Sequence, residues 1–209
     1  MIAARALSFG YRSEAVLDDF TVELSGGQLT AVSGVSGRGK STLLYLFGLL
    51  LRPWSGQVEI DGQDVTELSD AVRSHIRATE IGFVFQDASL DPTRTVLDNI
   101  VEPALYSGLA PREARRRATE MVQRFSVDLR LSHRPGEVSG GQAQRVALCR
   151  ALVNRPGVVL ADEPTGNLDP ASAAVVLDAL HGYARSGATV VVASHDPQVL
   201  ARADEVLSL

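Results

Sequence analysis

The chain has 209 residues, 45% of them hydrophobic and 22% charged, the composition of one ordinary globular domain with a sizeable core. Its formal net charge of -5 argues against a dedicated nucleic-acid binder, because affinity for a phosphate backbone rests on clustered Lys and Arg. The one cysteine, Cys149, cannot form an intrachain disulfide; it reads as a small buried apolar residue, and a reducing compartment fits.

The first residues, Met1 to Arg5, are not followed by a long apolar stretch and a small-residue cleavage site, so the chain is expected to stay in the cytoplasm. Phe20 to Leu24 alternates polar and apolar residues, as a half-exposed antiparallel strand does, and Gln57 to Ile60 repeats the pattern. Leu29 to Val32 is continuously apolar or β-branched, which parallel strands covered on both faces require. Directly after it, Gly34-Val35-Ser36-Gly37-Arg38-Gly39-Lys40-Ser41-Thr42 fits the phosphate-loop pattern between a predicted strand and a predicted helix. Glycines there let successive backbone N–H groups turn inward around phosphate oxygens, and a helix beginning near Lys40 adds the positive end of its dipole. Lys40 supplies a point charge for the β- and γ-phosphates, the Ser41 hydroxyl suits Mg²⁺, and Thr42 reaches the α-phosphate side. The apolar run Leu43 to Leu51 is too short to span a bilayer, which takes roughly 18 to 20 residues. If a membrane is involved, a partner supplies the spans.

Ile81 to Phe85 is the next buried strand, and from Asp87 to Arg155 helix signals replace strand signals. Pro111 opens a helix through Phe125, on which the consecutive Arg115, Arg116 and Arg117 fan round the axis as a solvated surface. Ser139 with Gln142 three residues later is a capping box at the start of an apolar-periodic helix. Gly140 and Gly141 are not needed for a cap and lower helix propensity, so a close backbone approach is expected there. Helix N-termini with bare glycine amides bind anions, so the chain carries two such starts. Val158 to Ala161 is a buried strand ending in Asp162 and Glu163, which delivers both acids to the carboxyl edge of a sheet. Asp162 is suited to Mg²⁺ and Glu163 to orienting an attacking water or accepting its proton. Ala188 to Ala193 is the last buried strand; His195 follows it and should emerge at the same edge as Glu163. Asp169-Pro170 and Asp196-Pro197 both read locally as an N-cap followed by a first-turn proline. His75, His133 and His181 carry no functional signal.

Taken together these motifs resemble the ATP-binding cassette ATPases from about Phe9 to the end of the chain, and Ser139-Gly140-Gly141-Gln142 matches the family's signature sequence. The resemblance implies an α/β P-loop NTPase fold: a RecA-like parallel core, an N-terminal antiparallel β subdomain and a helical insert. A single nucleotide-binding domain over 1–209 is then divided into a core of 1–86 and 156–209 and a helical subdomain of 87–155. It also implies that Tyr11 stacks on adenine and that Ser36, Gly37, Arg38, Gly39, Lys40, Ser41 and Thr42 hold the phosphates. Gln86 would be the Q-loop glutamine, and Ser41, Gln86 and Asp162 would serve Mg²⁺. Glu163, His195 and Lys40 would be catalytic, with His195 as the switch histidine. Ser139 to Gln142 and the D-loop residue Asp169 would reach an ATP held by a second subunit. Val35, Arg38, Val138 and Ala143 depart from the usual pattern without removing a catalytic group; whether Arg38 faces nucleotide or solvent is open at this level.

The partners implied are a second ATPase subunit, in a homodimer enclosing two ATP, and a separate permease, with the chain peripheral at the inner face of the cytoplasmic membrane. Residues 161–169 and 194–197 look most like the lipoprotein-releasing, macrolide-export and cell-division group. The activity expected is therefore ATP hydrolysis powering export or extrusion. A non-transport ATPase that signals to cell-wall or division machinery through a membrane partner is the alternative.

Overall fold

In the computed structural model, all of residues 1–209 are described except Ser36, Ser126 and 128–130. Two sheets carry the fold. The first is antiparallel, built from β1 (Ile2–Tyr11), β2 (Glu14–Leu24), β4 (Ser55–Ile60) and β5 (Gln63–Asp64) in the order β2-β1-β4-β5. The second is parallel, built from β3 (Leu29–Ser33), β6 (Ile81–Val84), β7 (Val158–Asp162), β8 (Thr189–Ala193) and β9 (Glu205–Ser208) in the order β6-β7-β8-β3-β9. Helix α1 (Lys40–Phe47) follows β3 and α2 (Asp70–Thr79) precedes β6. Between β6 and β7 lie α3 (Val96–Tyr106), α4 (Pro111–Arg124) and α5 (Gly140–Leu152); α6 (Pro170–Ala184) and α7 (Pro197–Arg202) flank β8.

Strands β7 and β8 are buried at every position, and the alternation of side chains divides the core in two. Val159, Ala161, Val190 and Val192 pack with Ile100, Val146, Leu148, Leu152, Val176 and Leu180 from the helices. Val158, Leu160, Val191 and Ala193 face the other way, onto Leu43, Leu44, Leu46 and Phe47 of α1 and onto Ile2, Leu7, Leu24 and Val58 of the antiparallel sheet. This double cover is why the parallel strands read as unbroken apolar runs. The run Leu43 to Leu51 is α1 plus its exit turn. Gly48 caps the helix and Leu49 turns at φ 54°, and no helix of the described residues is long and apolar enough to cross a membrane.

Strand β1, which the sequence does not announce, is the longest surprise. Its Ala3-Ala4-Arg5-Ala6 has no β-branched residue, and bulges around Leu7 and Phe9 break the alternation, so pairing on both sides by β2 and β4 holds it instead of propensity. Strand β9 is a short edge strand beside β3, pinned where Asp204 Oδ2 accepts a hydrogen bond from the Leu29 amide at 2.8 Å. On α4, Arg115 and Arg116 are exposed as expected, and two of the three arginines also make ion pairs along the helix. Arg116 pairs with Glu113 and Glu120, and Arg117 with Glu113 at 3.0 Å, and their hydrogen bonds hold the Glu113 carboxyl down to about 2.

Candidate functional site

Parallel register sets the geometry. Val32 of β3 pairs with Ala193 of β8, and Ala193 pairs with Asp162 of β7, while Val84 of β6 lies beside Ala161. Four strands therefore end at one edge, and their next residues are the Gly34 loop, Glu163, Ser194-His195 and Phe85-Gln86. That edge bounds a cleft of about 630 Å³ lined by residues that include Tyr11, Gly37, Gly39 to Thr42, Gln86, Glu163 and His195. Carboxyl ends of strands in open α/β sheets are where ligands bind.

The loop after β3 opens directly into α1. Gly39 is its N-cap, at φ 95°, and a side chain there would drive a Cβ to 2.6 Å from Val16 Cγ1. No side chain caps α1 and no acid sits in its first turn, so its amide dipoles meet an anion unopposed. Lys40 Nζ donates to the carbonyl of Gly34 at 2.8 Å, folded back over its own loop. Arg38 is exposed and outside the cleft lining, so its charge faces solvent. Ser36 lies outside the described residues.

Beneath the loop, Ser41 Oγ donates to Asp162 Oδ1 at 3.0 Å. Asp162 is buried, and burial pushes its carboxyl up, with the neighbouring Glu163 charge adding to the rise; donors from Ser41 and Tyr45 and the charge of Lys40 oppose it. Tyr45 is a residue the motifs did not point to. Its spacing of four from Ser41 on α1 is the signal, since that places both on one helix face.

Glu163 leaves β7 at φ 43°, an unusual conformation for a residue with a side chain. Its amide donates to Ala193 O at 2.9 Å, its carbonyl accepts from the Gly166 amide at 3.2 Å, Ser194 Oγ donates to Oε2 at 3.0 Å, and His195 Nδ1 lies 2.6 Å from Oε1. Ser194, fully buried, was also missed. Tyr11 is exposed at the cleft mouth, edge-on to Phe9, with its hydroxyl 3.4 Å from Thr42 Oγ1.

The second helix start stands apart from this cleft. Ser139 caps α5, and the capping box is formed: the Ser139 amide donates to Gln142 Oε1 at 2.8 Å and the Gln142 amide to Ser139 Oγ at 3.3 Å. None of Ser139 to Gln142 lines the phosphate-loop cleft. Of the two glycines, only Gly141 has a close neighbour among the described residues of this chain. A Cβ on Gly141 would sit 2.8 Å from Ser172 Oγ of the same chain, whereas nothing lies within 4 Å of one on Gly140. Asp169 caps α6: Oδ1 accepts from the Ala171 and Ser172 amides and Oδ2 from Ser172 Oγ at 2.6 Å, bonds that hold its carboxyl below the usual range, the Ser172 hydroxyl first. The two caps thus meet through Ser172.

The residues fit Mg²⁺. Among the described residues no cluster of three His, Cys, Asp or Glu side chains could cage a metal. A small hard cation held by one or two oxygen side chains and otherwise by phosphates and water needs only such a pair as Ser41 and Asp162.

The family model described as ABC transporter matches residues 17–166. The lipoprotein-releasing system ATP-binding protein LolD of Paramagnetospirillum magneticum is 42% identical over 206 residues, 98% of this chain and 91% of that one. The macrolide export ATP-binding/permease protein MacB 1/2 of Paracoccus denitrificans is 45% identical over 195 residues, 93% of this chain but 29% of the relative. Among solved structures, the dimeric ATP-binding cassette MJ0796, in a post-hydrolysis state with ADP and phosphate, superposes with a TM-score of 0.91 at 33% identity, covering 100% of this chain and 94% of that one.

Proposed function

Because the chain belongs to the ABC transporter family, we infer that it is the ATP-hydrolysing subunit of a transporter, acting as a pair of cassettes around two ATP beneath a separate membrane permease. It is proposed to sit at the inner face of the cytoplasmic membrane and to serve export or extrusion, as lipoprotein release is named for its relative LolD and macrolide export for its relative MacB. The observation that carries the reading is the split between the two helix starts. Lys40, Ser41, Glu163 and His195 line one cleft, and Ser139 to Gln142 do not. A second copy supplies the missing wall.

In this reading the amides of 37–42 and the start of α1 take up the phosphates, and Lys40 leaves the Gly34 carbonyl for the β- and γ-phosphates. Tyr11 stacks on the adenine. Bound Mg²⁺ would be held by Ser41 and Asp162, with Gln86 facing it from the cleft wall, and would neutralise charge on the phosphate oxygens. Glu163 Oε1 and Oε2, both already hydrogen-bonded, position and deprotonate the attacking water. His195 fixes the Glu163 carboxylate on one side and contacts the γ-phosphate on the other. Gly140 and Gly141 offer their amides, and Asp169 its cap, to the partner's nucleotide. Residues 87–155 are proposed to act as a helical subdomain that turns against 1–86 and 156–209 when Gln86 meets nucleotide.

Phosphate release from the purified chain in ATP and Mg²⁺ tests the roles. Glu163→Gln should lose on the order of 100-fold or more in turnover while still binding ATP. Lys40→Ala should lose binding as well, and full turnover in either variant would overturn the assignment.

A further inference from the structure

The segment after β6 has an unusual backbone. Ala88 (φ 62°) and Ser89 (φ 44°) are successive residues in the left-handed region, and neither is a glycine. Such a conformation persists only where its surroundings impose it. Here the surroundings are two side chains of α5. Gln144, 3% exposed, donates through Nε2 to the Phe85 carbonyl at 3.0 Å. Arg150 donates through its two terminal nitrogens to the Ala88 carbonyl at 2.8 Å and the Ser89 carbonyl at 2.6 Å. Gln86 lies within this clasped stretch, and it borders both the phosphate-loop cleft and a smaller cleft of about 230 Å³ whose walls include Gly140, Ala143 and Leu168.

Stability alone does not account for Arg150. Burial pushes its guanidinium down, its bonded partners are neutral carbonyls, and Glu102 and Asp87 act on it only through longer-range attraction. An apolar side chain of similar size would fill the space without desolvating a charge. It would not hold two carbonyls in a strained turn. Arg150 and Gln144 stand on the helix that begins with Ser139 to Gln142, so the clasp joins the cleft-facing glutamine to the part of the molecule offered to a second copy.

We propose that Arg150 and Gln144 are positioning residues that clasp the carbonyls of 85, 88 and 89, so that Gln86, at the hinge between 1–86 and 87–155, follows the signature end of α5. Rotation of α5 then carries Gln86 into or out of the cleft, and nucleotide contact at Gln86 sets the orientation of Ser139 to Gln142. This rests on the site reading given above for Gln86 and Ser139.

Steady-state hydrolysis by the purified chain, using ATP and Mg²⁺ as the probe, tests it. Arg150→Met is expected to lower kcat by about tenfold or more with KM for ATP changed by less than about threefold, the pattern of an interaction lost after binding. Arg150→Lys, which can reach one carbonyl but not both, should recover part of the loss. The double variant with Gln86→Ala should be no slower than Gln86→Ala alone, since groups acting through one another are not additive. A packing role would instead lower stability and add to the Gln86→Ala loss. Arg150→Met turnover within about twofold of the unmodified chain, or fully additive losses, would overturn the proposal. If Gln86→Ala and Ser139→Ala leave turnover unchanged, the site reading fails and takes the clasp with it; if they slow turnover and Arg150→Met does not, the clasp alone falls. Should Arg150→Met not fold, Arg150→Lys and Gln144→Leu carry the same comparison.

Discussion

Replacing Ser194 by Ala removes one oxygen from the interior and bears on catalysis without touching the cleft. Ser194 Oγ donates to Glu163 Oε2 at 3.0 Å and accepts from the Asp196 amide at 3.1 Å, and the residue is fully buried. His195, the other partner of Glu163, is largely exposed, so Ser194 is the rigid member of the pair. A hydrogen bond to a charged acceptor contributes about 1.5–3 kcal/mol. If Glu163 needs that bond to stay aligned as charge develops on the attacking water, the loss appears in the barrier, where about 1.4 kcal/mol is tenfold. Ser194→Ala should therefore lower kcat by about 10- to 150-fold. KM should stay nearly constant, because Ser194 is not part of the cleft lining. Phosphate release at saturating ATP, with circular dichroism to verify the fold, measures this. A folded variant whose kcat stays within about twofold of the unmodified chain would refute Ser194 as a support for Glu163.

Other substitutions probe other parts of the site. The Asp162 carboxyl is raised in the folded chain, so the folded state holds its proton more tightly than the unfolded one, and stability declines as pH rises from the ordinary carboxylate range through the raised value. Without nucleotide, Asp162→Asn should be as stable as the unmodified chain or more so at pH 8, with less advantage at low pH, and yet be inactive; a lower melting temperature at pH 8 would contradict this. Tyr11→Ala should raise KM for ATP by about 5- to 150-fold, the range of stacking losses of about 1–3 kcal/mol, while Tyr11→Trp stays close to normal. Gly141→Ala pushes a Cβ to 2.8 Å from Ser172 Oγ and should cost about 1–3 kcal/mol in a thermal melt.

The parallel core was legible because strands covered on both faces have no polar alternation to blur them; β8 ends where its apolar run ends, and β7 one residue past it at Asp162. The antiparallel sheet was legible only in part: the β2 and β4 alternation shows, but β1 is held by its neighbours and its bulges scramble the pattern. At the site, the glycine loop and the paired acids announce themselves by composition. Ser194, Gln144 and Arg150 do not, since each acts through tertiary hydrogen bonds that no local spacing encodes, and Tyr45 shows only through its spacing of four from Ser41. The glycines of 140–141 also differ within the chain in a way composition does not show: Gly141 lies close to Ser172 and Gly140 has no intrachain neighbour among the described residues.

The central claim is that each ATP is enclosed by the phosphate loop of one copy and the signature helix of another. Light scattering on Glu163→Gln in saturating ATP and Mg²⁺ tests it most directly, alone and combined with Ser139→Arg. The expected masses are twice the 22.3 kDa of one chain for Glu163→Gln and a single chain for the double variant. A monomer in the first case, or a dimer undisturbed by Ser139→Arg in the second, would contradict the shared site.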